Sequence, residues 1–316
     1  MKAEVKTYVA TIGFFDGVHR GHQFLIRQVR EEAAARGMQS MVVTFPVHPR
    51  RVLHSDYQPQ LLTTRSEKQQ LLEQSGVSRL AWLDFSPAMA RMTARDFMQM
   101  LYADYGVRVL MVGYDHRFGH GRTDGFADYV RYGRELGMEV LHAEELPGGV
   151  SSTTVRNALL QGDVRTANET LGYPFFLEGR VVHGFHNGTG MGFPTANLQV
   201  EADKLMPMNG AYCVKVSIAA QGARLGDTKA AWRSTPKAQR LPGMLNIGHR
   251  PTLRNGTQRS VEVHIFDFCG DLYDCRIRLE FVDFLRAERQ FLSVEELRRQ
   301  LMADEAACRK LMTIGR

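Results

Sequence analysis

The chain has 316 residues, 44% hydrophobic and 23% charged, with 40 basic against 34 acidic side chains and a formal net charge of +6. That length favours two domains, each able to bury a core, and the composition excludes a disordered or collagen-like chain. No stretch is long and apolar enough for a spanning helix, and the modest basic surplus suits phosphorylated small molecules as well as nucleic acid.

The N-terminus, Met1 to Lys6, runs into an apolar segment that soon meets Asp16 and His19. It lacks the small-residue cleavage region of a secretion signal, which predicts a cytoplasmic protein. From there to about residue 172, short apolar runs alternate with helical patterns. Strands are predicted at Thr7–Phe14, Gln39–Phe45, Arg79–Asp84, Arg108–Gly113 and Met138–His142. Amphipathic helices are predicted between them, at Gln23–Ala35, Arg65–Gln74, Ala94–Tyr105 and Phe126–Leu136. Gly37, Gly76, Gly106 and Gly137 stand where left-handed C-caps are needed. Repeated strand–helix units imply a doubly wound parallel sheet, which binds ligands beyond the carboxyl ends of its strands.

After Gly172-Tyr173-Pro174 the texture changes to alternating, β-branched segments: Leu177–His183, Ala211–Ala219, Val261–Phe268 and Arg276–Phe284. With a single long helix near Val294–Met312, this half reads as a small antiparallel β-barrel closed by a C-terminal helix. Residues 221–240 hold five basic side chains against Asp227 and read as a basic hairpin loop rather than a nucleic-acid site. Cys213, Cys269, Cys275 and Cys308 show no zinc spacing and read as free thiols of a reducing compartment.

Two elements of the first half carry chemistry. The opening strand runs into Gly13-Phe14-Phe15-Asp16-Gly17-Val18-His19-Arg20-Gly21-His22. Its glycines allow a tight turn where a nucleotide phosphate approaches, and His19 and His22 are placed to stabilise the pentavalent α-phosphorus. The alternative is that the histidines cap or pack. The second element is Ser151-Ser152-Thr153-Thr154-Val155-Arg156 at a helix start. Its hydroxyls and free amides attract phosphate, Arg156 neutralises departing pyrophosphate, and the same hydroxyls alone would make an N-cap.

In the second half, Gly179-Arg180-Val181-Val182-His183-Gly184 leads to Gly188-Thr189-Gly190-Met191-Gly192-Phe193-Pro194-Thr195-Ala196-Asn197. Gly184, Gly188, Gly190 and Gly192 form a loop able to wrap a polyphosphate, or else a flexible hairpin. Thr195 and Asn197 offer oxygen ligands suited to Mg²⁺ on ATP. Glu262, in Val261-Glu262-Val263-His264, is either the solvated side of a strand or a base for an attacking hydroxyl.

HxGH with SSTxxR resembles the nucleotidyltransferase superfamily, and GFFDGVHRGHQ is similar to its FAD synthetase branch. The segments Thr44–Pro49 and Val112–Gly119 match as well, and the resemblance puts Asp115 beside the flavin. GxVxxG, FPTAN and VEVH resemble riboflavin kinase, and Leu285–Phe291 matches its late RxExxF segment, which puts Arg286 and Phe291 at the flavin. Pro251-Thr252 fits too. Over nearly its whole length the chain resembles the bifunctional bacterial riboflavin kinase / FAD synthetase family. That implies a nucleotidyltransferase domain over 1–173 that adenylylates FMN and a riboflavin kinase domain over 174–316. The implied ligands are riboflavin, FMN, FAD and ATP, with Mg²⁺ as cofactor and no nucleic-acid or membrane partner; the oligomeric state stays open. The resemblance also makes His19 and His22 the adenylylation residues, with Gly13, Phe14, Asp16, Gly21, Ser151, Ser152, Thr153 and Arg156 around the nucleotide. It makes Thr195 and Asn197 the Mg²⁺–ATP ligands and Glu262 the kinase base. One departure is Thr189, where the family usually has Arg. The rivals are an adenylyltransferase with a decayed kinase half, a transferase for another acceptor, and a basic RNA-binding protein. FPTAN with VEVH argues against the last two.

Overall fold

A computed structural model describes residues 6–53, 56, 59–183, 192–219, 240–249 and 259–314. The chain divides into two compact units, residues 1–152 and 153–316.

In the first unit, strands β1 (Tyr8–Ile12), β2 (Gln39–Thr44), β3 (Arg79–Trp82), β4 (Val107–Val112) and β5 (Glu139–His142) form one sheet in the order β3-β2-β1-β4-β5. All four pairings are parallel. Every residue of β1 is buried, as a central parallel strand covered on both faces requires. Its side chains alternate between two cores. Tyr8, Ala10 and Ile12 pack with Phe97, Met98 and Leu101 of helix α5 (Ala94–Tyr105), while Val9 packs with Val29 and Ala33 of helix α1 (Arg20–Ala35). The four anticipated glycines all have positive φ, and Gly106 and Gly137 are left-handed C-caps of α5 and of α6 (Phe126–Leu136). Two short helices, α2 (Pro49–Leu53) and α4 (Pro87–Ala90), flank α3 (Arg65–Gln74) and β3 in sequence. Strand order reverses between β1 and β4, so the loops leaving their carboxyl ends open a crevice at that point.

The second unit begins with helices α7 (Ser152–Leu160) and α8 (Val164–Leu171). Asn168 of α8 donates to the carbonyl of Phe281 and accepts from the amide of Phe175. Strands β6 (Phe176–Val182), β7 (Ala196–Val200), β8 (Gly210–Ile218), β9 (Leu241–His249), β10 (Arg259–Ile265) and β11 (Arg276–Ala287) close a barrel in the order β10-β7-β6-β11-β8-β9. Every pairing is antiparallel. Two of these strands have weak sequence signals: β7 is only five residues long, and β9 contains Pro242 and Gly243 near its start. Gly179 of β6 is required by close approach, since a Cβ there would lie 2.2 Å from the carbonyl oxygen of Gln199. Helix α9 (Val294–Ile314) covers one side of the barrel, where Phe193, Cys213, Met244, Phe266 and Cys308 form a second core. All four cysteines are free thiols. Gly184, Gly188, Thr189, Gly190, Pro251, Thr252 and most of the basic stretch (221–239) lie outside the described residues.

Candidate functional site

In the first unit the site is built on the turn leaving β1. Gly13 ends the strand with its amide bonded to the carbonyl of Val43 at 3.1 Å. Phe15 and Val18 then take left-handed backbone angles, φ 55° and 38°, with Gly17 between them at 77°. Asp16 is buried and its carbonyl accepts from Ser152 Oγ at 2.9 Å, which ties the serine pair to this turn. Thr153 and Arg156 continue along α7, counted with the second unit.

His19 caps α1: its Nδ1 accepts from the His22 amide, so the neutral ring carries its proton on Nε2 and offers that N–H as a donor. The cap reading and the phosphate reading are therefore compatible in this residue. Gly21 makes the room, because a Cβ there would press the His19 ring at 3.2 Å. The two imidazoles stack, and His22 also lies edge-on to Phe15. Burial holds the pKa of His19 down to about 4, opposed by Asp115. Burial, reinforced by His19, Lys68 and His116, holds His22 well below its usual range. Both rings are neutral donors at pH 7.

Beside them lies a cavity of about 490 Å³ lined by Phe14, Phe45, Phe85, Phe97 and Phe118, with His48, His116, Arg50, Arg117 and Arg122 as its polar members. Aromatic walls with few polar groups suit a flat heteroaromatic ligand. Asp115 is exposed on the loop after β4 and acts electrostatically on His19 and His116. Sequence reading missed His48 and His116 as wall residues although it quoted both segments. It also missed Lys68, which is 2% exposed. The available signal was its place one turn before buried Leu72 on the same face of α3.

In the second unit, Val261, Val263 and Ile265 fill the barrel while Glu262 and His264 face the other side of β10. There Glu262 lines a cavity of about 250 Å³ together with Thr195, Asn246, Arg286, Phe291 and Asp304. Asn197, 5% exposed, sits opposite Glu262 in the β7–β10 register. His264 Nδ1 donates to the Pro194 carbonyl at 2.7 Å and so fixes the FPTAN segment, a role its place in VEVH did not reveal. Arg286 forks onto the Asp304 carboxylate at 2.8–3.2 Å, with its guanidinium 5.6 Å from the Phe291 ring centre. Gly192 is exposed at φ 84°, with open space around it.

A parallel sheet with neutral histidine donors at its switch point, followed by a closed barrel with a carboxylate in a cavity on its outer face, is the build of a two-module phosphate-transfer enzyme. A family model for FAD synthetase matches residues 1–154, and one for riboflavin kinase matches residues 171–312. The chain is 38% identical to the bifunctional riboflavin kinase/FMN adenylyltransferase of Pseudomonas fluorescens over 98% of this chain and 95% of that one. Its counterpart in Escherichia coli K12 is 37% identical over 96% of this chain and 92% of its own. A crystal structure described as a macrolide-efflux protein from Streptococcus pneumoniae matches with TM-score 0.82 at 31% identity, covering 97% of this chain and 95% of that one. The chain belongs to the bifunctional riboflavin kinase/FMN adenylyltransferase family. It is a flavin-cofactor enzyme: riboflavin is phosphorylated by ATP to FMN, and FMN is adenylylated to FAD with release of pyrophosphate. Among the described residues no helix is long and apolar enough to cross a membrane.

Proposed function

We propose that adenylyl transfer takes place at the β1–α1 turn, with the 490 Å³ cavity holding the flavin ring. The observation that carries this is the pair of buried, neutral imidazoles beside an aromatic cavity. A phosphate oxygen of FMN attacks the α-phosphorus of ATP, the new P–O bond forms, and the bond to the bridging oxygen breaks as pyrophosphate leaves. His19 Nε2–H and the His22 ring donate to the oxygens on which charge develops. Ser151, Ser152, Thr153 and Arg156 hold phosphates in this reading, and Gly13, Phe14, Asp16 and Gly21 surround the nucleotide.

Phosphorylation of riboflavin takes place in the 250 Å³ cavity on the outer face of β10. Glu262 accepts the proton of the riboflavin hydroxyl as that oxygen attacks the γ-phosphorus, and ADP leaves. Arg286 and Phe291 flank the flavin. The donor set supports Mg²⁺: Thr195, Asn197 and Glu262 offer only hard oxygens, and one of them is a buried polar group facing the carboxylate. Thr195 and Asn197 would hold the ion, which when bound neutralises ATP phosphates. The same reading places the protein in the cytoplasm, in keeping with four free thiols. It also divides the chain into an adenylylation domain to residue 173 and a kinase domain from 174. The test is to assay riboflavin with ATP and FMN with ATP separately and resolve the products by chromatography. One substitution per site should remove one reaction and leave the other.

A further inference from the structure

The turn that carries the histidines is strained. Val18 at φ 38° is a β-branched residue in the left-handed region, and Phe15 is left-handed three residues earlier. Such strain persists only where the surroundings over-determine it. Much of the restraint here comes from one short stretch, Thr63 to Lys68, at the start of α3.

Thr63 donates to the Asp16 carboxylate through its amide at 3.2 Å and its hydroxyl at 3.4 Å, and its Oγ1 accepts from the Gly17 amide at 3.1 Å. Lys68 Nζ donates to the carbonyl of Phe14 at 3.0 Å and to that of Phe45 at 2.8 Å. The ammonium also stands 3.8 Å from the centre of the Phe14 ring. The stretch is itself fixed by a capping box: the Thr64 amide donates to Glu67 Oε2, and the Glu67 amide to Thr64 Oγ1.

Lys68 is an expensive choice for stability alone. Burial pushes its pKa down to about 7, with Asp16 opposing and Arg65 reinforcing. An apolar side chain of similar length would fill the same space without that cost. What it could not do is join two carbonyls at the exits of neighbouring strands, β1 and β2, whose phenylalanines wall the cavity.

We propose that Thr63 and Lys68 are positioning residues for adenylyl transfer: they clamp the histidine turn to the end of β2 and hold His19, His22, Phe14 and Phe45 in one arrangement. The inference rests on the assignment of adenylyl transfer to this cluster. A misplacement of about 1 Å costs on the order of 100-fold in rate when the displaced groups contact the reacting centre.

The test uses the full-length chain and four forms of it: parent, Lys68→Met, Thr63→Val and His22→Ala. Lys68→Met and Thr63→Val should each lower kcat for FMN adenylylation by roughly 10–100-fold. The KM for ATP and riboflavin phosphorylation should stay at parental values. Lys68→Met leaves the Phe14 and Phe45 carbonyls without this donor and should unfold at a somewhat lower temperature. The kcat is therefore read well below that transition, where loss of a merely structural lysine would leave it at the parental value. If Lys68→Met does not fold, Thr63→Val decides. Parental kcat in the folded variants, with His22→Ala inactive, would overturn the clamp. So would a fall in kcat seen only where the unfolding transition is also lost. An active His22→Ala would instead overturn the assignment of the cluster.

Discussion

The imidazoles of His19 and His22 lie face to face, ring centres 3.6 Å apart and planes 19° from parallel. Two imidazolium ions would repel at that distance, so the stack belongs to the neutral rings that burial maintains. A polyphosphate bound beside the pair, as proposed above, would favour protonation of the rings it touches, although Lys68 acts on His22 and Arg122 on His116 in the opposite sense.

His22→Ala removes one of these donors and should lower FMN adenylylation by about 100–1,000-fold. Riboflavin phosphorylation should continue at the parental rate, since Glu262 and its cavity belong to the other unit. The check is product analysis from the two half-reactions run separately.

The same buried rings should make the first unit acid-sensitive. Burial holds His19 and His116 down to about 4, from 6.5, and His22 well below its usual range. Above pH 6.5 the rings are neutral in both folded and unfolded chains and add nothing to the pH dependence. As pH falls from 6.5 towards 4, the unfolded chain takes up protons that the folded one refuses, so stability falls. Asp115 opposes the effect at His19 and His116, while Arg122 reinforces it at His116 and Lys68 at His22. For His19 the full window is worth about 3 kcal/mol. Unfolding midpoints measured at pH 7 and pH 5 should show the loss, and His116→Gln should reduce it. A midpoint independent of pH over this range would contradict the neutral-histidine assignment.

The sheet was legible because periodicity and punctuation agreed. Apolar runs such as Gln39–Thr44 and glycines such as Gly106 and Gly137 mark strand and helix ends by local physics. The barrel was legible in its long β-branched strands but not in β7 or β9, where shortness, Pro242 and Gly243 hide a strand that only its partners stabilise. At the sites, His19, His22 and Glu262 stood out because their motifs concentrate unusual residues. Lys68 did not, because a lysine on an amphipathic helix ordinarily reads as solvated, and its burial depends on two carbonyls distant in sequence. His48 and Arg117 joined a cavity wall through tertiary packing that no spacing rule encodes.

Glu262→Gln keeps the shape of the cavity and removes the carboxylate proposed to accept the proton. It should abolish FMN formation from riboflavin to within about a hundredth or less of the parental rate, as general-base loss does. Conversion of supplied FMN to FAD should remain. If FMN formation also remained, His264 would be the next base to test: donation of its Nδ1–H to the Pro194 carbonyl leaves Nε2 as the unprotonated nitrogen, and the residue lines the same cavity.

A last expectation concerns where the kinase domain must begin. A division at residue 173/174 implies that a fragment from about Leu177 to Arg316 folds and phosphorylates riboflavin. The barrel nevertheless leans on what precedes it. Asn168 satisfies the Phe281 carbonyl and the Phe175 amide, and Arg165 pairs with Asp283. Gly162 lies close enough to Phe284 that a Cβ there would touch its ring at 3.3 Å. A start at residue 177 removes the buried residues Val164, Ala167, Leu171 and Phe175, uncovers the Phe281 ring on which Phe175 packs, and leaves the Phe281 carbonyl without its side-chain donor. A buried polar group left unpaired costs about 1–3 kcal/mol, and the lost apolar burial adds to that. The fragment 153–316 should therefore unfold at a distinctly higher temperature than 177–316, with the same KM for riboflavin, because neither helix lines the kinase cavity. Equal unfolding temperatures would show that α7 and α8 are passengers on the barrel, while a longer fragment with a lower KM would show that they reach the site.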